Sequence, residues 1–376
     1  MNYSIIENVK KIAILRAGAL GDFIVTLPAL KAIRGAYANA EIILLGKPWH
    51  KRFLTKGRTP IDRVIAVPIK KGIREEKGEQ ENEGAIEAFF EAMQQEHFDV
   101  AINMQGNGIS ANPFIKQLRP RITAGLKSGE AESLDRSIDF YYYQNETIRY
   151  LEVAKLIGAY TSDLEPEIKV LPHDEEEIKT LMEGLNKKAF VVLQPCAVDV
   201  RRMWPPENYP VLADILKQKS FEVVFTGSAD DRSSVEKILA SMKYSAINTC
   251  GEISLGGLTA LLSKAALVIG ADTGPLHLAR AVNTPTVGIH WAPNLINWAP
   301  VTRSIHRPVI SWNMQCPYCG IVPNNPYPFE PSSDCDHAVS FVRDITVEQV
   351  LEAAESLLPP TSKAELKQNE TKVASC

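Results

Sequence analysis

Short apolar runs and amphipathic helical stretches take turns along this chain, twice over, and few folds accept that rhythm. In the first half, residues 12–15, 41–45, 63–67 and 99–104 read as strands. They are nearly continuous in apolar residues, as strands buried on both faces of a sheet must be. Phe23, Leu27, Leu30 and Ile33 share a helical face, as do Ile86, Phe89, Phe90 and Met93, and later Ile148, Leu151, Ala154 and Ile157. Pro28 should kink the first of these helices or confine its regular part to the residues beyond the proline. After the acidic run 174–177 the rhythm restarts, with strands at 190–193, 221–226, 246–249, 266–270 and 286–290. Helices are expected at 206–219, 230–242, 258–263, 276–282 and 346–358. Strands alternating with helices imply βαβ units and a parallel sheet. Two such series, parted near 165–185, predict two doubly wound α/β domains, 1–170 and 185–358. Residues 359–376 open with two prolines, are otherwise polar, and are expected to form a disordered tail.

Composition removes several function classes. The 376 residues are 45% hydrophobic and 23% charged, a globular balance. The formal charge is −4, which disfavours a dedicated nucleic-acid partner, because phosphate binding calls for a basic chain. Residues 1–11 lack a secretory apolar region, and no apolar run approaches the length of a membrane span. Six cysteines are too few for a disulfide framework. A reduced, cytoplasmic protein is expected, able to touch a membrane surface peripherally.

Ligands of open α/β sheets bind beyond the carboxyl ends of the strands. Three segments stand there. The first is Arg16-Ala17-Gly18-Ala19-Leu20-Gly21-Asp22, after the first strand. Gly18 and Gly21 allow a tight turn, and Asp22 falls at a helix start, where it is either a functional carboxylate or simply an N-cap. The second runs from Gln194 through Arg201, Arg202 and Trp204, where adjacent arginines form either a phosphate clamp or a solvated pair. The third is Gly270-Ala271-Asp272-Thr273-Gly274-Pro275-Leu276-His277. Amides of Thr273 and Gly274 at a helix N-terminus suit a pyrophosphate. His277, one turn in, is either a ligand or a core histidine. Neither series opens with G-x-G-x-x-G, which argues against a nicotinamide enzyme.

Taken together, LRAGALGDFIVTLPAL (15–30), RRMWPPENY (201–209) and GADTGPLHLARAVNTPTVGIH (270–290) resemble glycosyltransferase family 9, the heptosyltransferases, in order, spacing and context. The resemblance spans roughly residues 10–355. It implies a GT-B fold, two Rossmann-like domains facing a central cleft, with the acceptor on the first and a nucleotide sugar on the second. It implies inverting transfer of heptose from an ADP-sugar donor to an inner-core lipopolysaccharide acceptor, with no metal or other cofactor required for the chemistry. Carried over by position, Asp22 matches the general base and Arg202 the cation that steadies the departing phosphate. Asp272, Thr273, Gly274 and His277 match the donor pyrophosphate element, and Asp231 an acidic ribose contact. The chain departs from the family at Gln194-Pro195-Cys196-Ala197-Val198, where hydroxyl donors are missing. Arg201 is the residue placed to compensate. Two alternatives stay open, namely a different nucleotide sugar or acceptor, and a non-catalytic homologue that binds nucleotide sugars.

Charge bears on the acceptor. Residues 47–74 carry nine Lys/Arg and one acid, whereas residues 75–99 carry nine acids and one Lys. The basic block suits an anionic glycan, with His50, Lys51, Arg52, Arg119 and Arg121 as candidates; alternatively the two blocks neutralise each other. Near the C-terminus, Cys316-x2-Cys319 followed by Cys335-x-His337 offers four ligands for a structural metal that would pin the Pro-rich residues 317–331. Some relatives hold a metal in this region. Free thiols, or a redox-labile pair, are the other reading.

Overall fold

The computed structural model describes residues 3–322, 335 and 337–359. The expected tail therefore lies outside the described residues, Pro359 apart. Two compact units divide the chain, Met1–Lys169 and Val170–Cys376.

The first unit contains strands β1 (Lys11–Leu15), β2 (Glu41–Gly46), β3 (Arg63–Ala66), β4 (Val100–Asn103), β5 (Ile122–Lys127) and β6 (Arg136–Asp139). Its helices are α1 (Leu20–Ile24), α2 (Leu27–Ala36), α3 (Pro48–Phe53), α4 (Glu83–Gln95), α5 (Ala111–Gln117) and α6 (Glu146–Lys155). The sheet order is β3-β2-β1-β4-β5-β6, with every pair parallel. Ile12, Ala13, Ile14 and Leu15 are all buried, as a central strand covered by helices on both faces requires. Pro28 sits in the first turn of α2, where its missing amide costs nothing, and the helical stretch divides before it into α1 and α2.

The second unit begins with two short helices, α7 (Pro172–Glu177) and α8 (Lys179–Gly184). Then come β7 (Phe190–Gln194), a 3₁₀ turn at Val200–Arg202, α9 (Asn208–Gln218), β8 (Glu222–Phe225), α10 (Arg232–Ala240) and β9 (Ile247–Asn248). These are followed by α11 (Leu255–Lys264), β10 (Leu267–Ala271), α12 (Gly274–Ala281), β11 (Thr286–Trp291), α13 (Ala292–Trp298), β12 (His306–Ser311) and α14 (Val347–Glu355). The sheet runs β12-β11-β10-β7-β8-β9, again parallel throughout. Numbered within its own unit, each sheet has the dinucleotide-fold order 3-2-1-4-5-6. The order reverses between β1 and β4 in one unit and between β7 and β10 in the other, so ligand crevices are expected beyond those two strand pairs.

In the sequence, residues 172–184 stand out only as a change of composition. They form α7 and α8 because Asp174, fully buried, caps the Leu171 amide (2.8 Å) and Glu177 accepts from the Ser254 amide and hydroxyl ahead of α11. Strands β5, β6 and β12 are additions to the expected set. A glycine interrupts β5, β6 (RSID) is polar, and β12 contains Pro308. Both β6 and β12 are edge strands, where a polar face or a missing amide is accepted.

Candidate functional site

The loop after β1 is drawn tight around Asp22. This residue is not the N-cap. It is the third residue of α1, and its Oδ2 reaches back to accept from the amide of the N-cap residue Ala19 (2.8 Å). Its Oδ1 lies 3.7 Å from the Arg16 guanidinium, and a third of the side chain stays exposed. Arg16 itself is buried. It donates to the Asp22 carbonyl (2.9 Å) and the Met104 carbonyl (3.0 Å), and its guanidinium lies 4.9 Å from the Tyr150 ring centroid. A Cβ at position 18 would stand 2.6 Å from Asp22 Oδ2, so Gly18 is needed for close approach. Gly21 is the second residue of α1.

Sequence reasoning missed what holds this loop. Gln105, just past β4, accepts from the Ala17 amide through Oε1 (2.7 Å) and donates to the Ile73 carbonyl (2.7 Å). Asn103 accepts from the Gln105 amide (2.7 Å) and donates to Asn112, all within a buried patch. The available signal was an asparagine ending an otherwise apolar strand at the β1/β4 reversal.

The basic block proves mixed. His50 is wholly buried, stacked on Trp49 (3.7 Å), and its Nδ1 accepts from the Lys47 amide. Burial brings its pKa down to about 3, so it is neutral and cannot bind an anion as a cation. Arg119 and Arg121 precede β5 and thus sit at the amino edge of the sheet, opposite the Asp22 loop; Arg121 donates to the Glu7 and Asn8 carbonyls. Arg58 is buried over Phe53, while Arg63 pairs with Glu41 and Glu96, and Arg74 with Glu76. Part of the charge is thus neutralised locally. Lys51 and Arg52 remain exposed on α3, at the carboxyl edge.

In the second unit, β10 delivers Asp272 and Thr273 to the start of α12. Thr273 is the N-cap in extended conformation and makes no side-chain cap; Pro275 has no amide hydrogen and the Leu276 amide donates to the Thr273 carbonyl (3.1 Å), which leaves the Gly274 amide as the orphan donor of the first turn. Asp272 is 2% exposed. Its Oδ1 is 3.1 Å from His277 Nε2, at ion-pair distance but off the line of a hydrogen bond, and its Oδ2 is 3.9 Å from His290 Nδ1. Burial alone would raise this carboxyl, but His290, His277 and Arg202 outweigh it and bring it down to about 2. His277 is buried, with its other ring nitrogen 3.5 Å from Arg280. It therefore serves the carboxylate from within the unit. His290, at the end of β11, is a member of this cluster that the sequence did not suggest.

Arg202 donates to the Asp272 carbonyl through Nη1 (3.0 Å), and its buried Nε lies 3.9 Å from Asp199 Oδ2, a looser contact with the carboxylate that Arg201 engages. Arg201 differs. Its Nε and a terminal nitrogen both engage Asp199, a charge already matched. Three residues on, Trp204 anchors the turn; it is fully buried, donates to the Ile345 carbonyl (2.8 Å), and meets Tyr209 edge-on. Asp231 turns inward, accepting from the Ser228 amide (2.8 Å) and hydroxyl (2.7 Å), while its neighbour Asp230 is exposed. Cys196 is buried in the core and its thiol is pushed up to about 12, chiefly by burial, so it stays neutral.

A family model for glycosyltransferase family 9 (heptosyltransferase) matches residues 86–319. The chain belongs to this family. The family 9 chain is 24% identical over 301 residues to the lipopolysaccharide core heptosyltransferase OpsX of Haemophilus influenzae, covering 78% of this chain and 82% of that one. Among solved structures, a family 9 glycosyltransferase from Veillonella parvula superposes with a TM-score of 0.74 at 19% identity, covering 95% of this chain and 98% of that one. TibC of enterotoxigenic E. coli, a dodecameric iron-containing glycosyltransferase, superposes at 0.54 with 13% identity, covering 94% and 77%. TibC is also known in complex with ADP-D-β-D-heptose. The fold of this family 9 chain is accordingly the GT-B class, built from two Rossmann-like units.

Cys316, Cys319, Cys335 and His337 come together with their ligand atoms within 4.8 Å of one another. Three sulfurs and one imidazole suit tetrahedral zinc or iron(II). No described helix is long and apolar enough to cross a membrane.

Proposed function

We propose that this enzyme is an inverting heptosyltransferase that takes ADP-heptose as donor and an anionic, lipopolysaccharide core-type glycan as acceptor. It would work in the cytoplasm, on an acceptor at the inner face of the membrane. The observation that carries the reading is Arg202 fastened to the Asp272 carbonyl beside the Thr273 and Gly274 amides at the start of α12. A fixed cation next to a helix N-terminus is a place for a leaving diphosphate. The acceptor hydroxyl oxygen bonds to the anomeric carbon as the bond from that carbon to the diphosphate oxygen breaks. ADP leaves with the electron pair, and the hydroxyl proton passes to Asp22. Arg202 and the Thr273 and Gly274 amides meet the charge that grows on the leaving group. Asp272, held by His277, shapes the donor pocket, and Asp231 or its exposed neighbour Asp230 addresses the ribose.

The test is transfer from ADP-heptose, a UDP-hexose and a GDP-hexose to deacylated heptose-deficient lipopolysaccharide, with product stereochemistry read by NMR. Transfer from ADP-heptose with inversion is expected. A preference for either other nucleotide discards heptose from ADP as the reaction, and absence of transfer from all three favours a non-catalytic homologue.

The Cys316/Cys319/Cys335/His337 cluster holds a structural metal in this reading, supported by its donor set and by the iron of TibC. About one iron or zinc per chain is expected by elemental analysis. Cys319→Ser should lower that content and the melting temperature together. A metal-free wild type with an unchanged melting temperature after chelation would assign these residues to free thiols.

A further inference from the structure

Tyr141, Tyr142 and Tyr143 come directly after β6, and the reaction proposed for this enzyme uses none of them. Tyr141 is 64% and Tyr143 44% exposed. Rings so exposed usually sit on mobile loops, but this one is fastened from below. The Phe140 amide donates to the Lys127 carbonyl (2.9 Å). Arg149, 3% exposed, donates to the carbonyls of Tyr141 and Tyr142 and stacks over the Phe140 ring at 4.3 Å. Tyr142 and Tyr143 meet edge to face at 5.0 Å.

The run lies on the same edge of the sheet as the Asp22 loop, because β1, β4, β5 and β6 are all parallel and both segments leave at carboxyl ends. A chain of buried contacts joins them. Arg149 pairs with Glu146, Glu146 is bonded to Tyr150, and Arg16 beneath Asp22 lies against the Tyr150 ring. Three strand spacings of ~4.8 Å separate β1 from β6, roughly 14 Å. That is the span of an acceptor with several sugar rings whose reacting hydroxyl sits at Asp22. A pyranose ring presents a face of C–H groups that packs on an aromatic face, and its hydroxyl rim suits the phenol oxygen. Tyrosine supplies both at low entropic cost.

We propose that Tyr141 and Tyr143 form a stacking platform for a sugar ring of the acceptor remote from the reacting hydroxyl. This rests on the acceptor being a glycan, as the proposed function has it. Binding at such a distance contributes recognition that the reacting sugar alone does not.

The experiment measures affinity of the full-length protein for deacylated heptose-deficient lipopolysaccharide oligosaccharide, for the methyl glycoside of its terminal sugar, and for phosphatidylglycerol vesicles. Y141A/Y143A is expected to weaken oligosaccharide binding about tenfold, in line with the loss of two aromatic contacts. Y141F/Y143F should stay within about twofold of wild type, and the monoglycoside should not distinguish the variants. ADP binding and melting temperature confirm that each variant is folded. Unchanged oligosaccharide affinity in Y141A/Y143A overturns the platform and leaves the proposed reaction standing. A loss of vesicle binding alone overturns it in favour of a membrane contact. An equal loss in Y141F/Y143F overturns stacking in favour of hydroxyl recognition. A wild type that binds ADP but no oligosaccharide overturns the glycan acceptor and the platform with it.

Discussion

Asp22→Asn is expected to lower kcat by about 10² to 10⁴, the usual worth of a positioned general base. The substitution is a clean one here. An asparagine carbonyl can still accept from the Ala19 amide, as Asp22 Oδ2 does, so the first turn of α1 keeps its closure. What is lost is the second oxygen, the one near Arg16, and with it a proton acceptor on the exposed side of the loop. An amide nitrogen turned toward a guanidinium adds local repulsion, but stability should fall by no more than about 1–2 kcal/mol. ADP affinity should not change, because the proposed donor elements belong to the other unit. Steady-state transfer rates together with ADP calorimetry check this. A loss under tenfold in kcat would remove Asp22 from the base role and leave it a helix-capping residue.

Arg202→Ala is expected to cost about 10² to 10³ in kcat and to weaken ADP binding. Removing one fixed donor at a site of growing negative charge has an effect of that order. The neighbouring Arg201→Ala provides the contrast. Arg201 has its fork on Asp199, and the change should alter kcat less than tenfold. Arg202→Lys should recover only part of the activity, since an ammonium cannot hold the Asp272 carbonyl and reach the phosphate with one rigid plane. Parallel kinetics on the three variants decide the matter. Equal losses at 201 and 202 would show that the pair acts as diffuse charge rather than through one oriented side chain.

How far the residues announce their roles depends on what each one faces. Central strands such as β1 and β7 were legible because burial on both faces leaves them apolar apart from one terminal residue each, Lys11 and Gln194. The edge strands β6 and β12 were not, because their pattern is set by one covered neighbour and open water. Positions of the three loops followed from the strand rhythm, and Pro275 falls in the first turn of α12 as its fixed φ favours. Orientation did not follow. Adjacent arginines look alike in a sequence, yet Asp199 hydrogen-bonds the fork of Arg201 and meets Arg202 only at 3.9 Å. His50 reads in the sequence as a candidate for the anionic acceptor, but its burial against Trp49 and Phe23 keeps it neutral. Arg119 and Arg121 required knowledge of which end of β5 they occupy. Gln105 and Asn103 went unnoticed because their partners are remote in the chain, and only the sheet order brings β4 beside β1.

That adjacency has a bearing on biosynthesis. The Asp22 loop at residues 16–22 leaves the ribosome well before the groups that fix it. The Met104 carbonyl receives Arg16, and the Gln105 side chain receives the Ala17 amide. Until β4 has emerged and slotted in beside β1, the nascent Asp22 loop has neither anchor. Order in this loop is therefore a late product of synthesis, acquired when a segment more than eighty residues downstream closes the sheet.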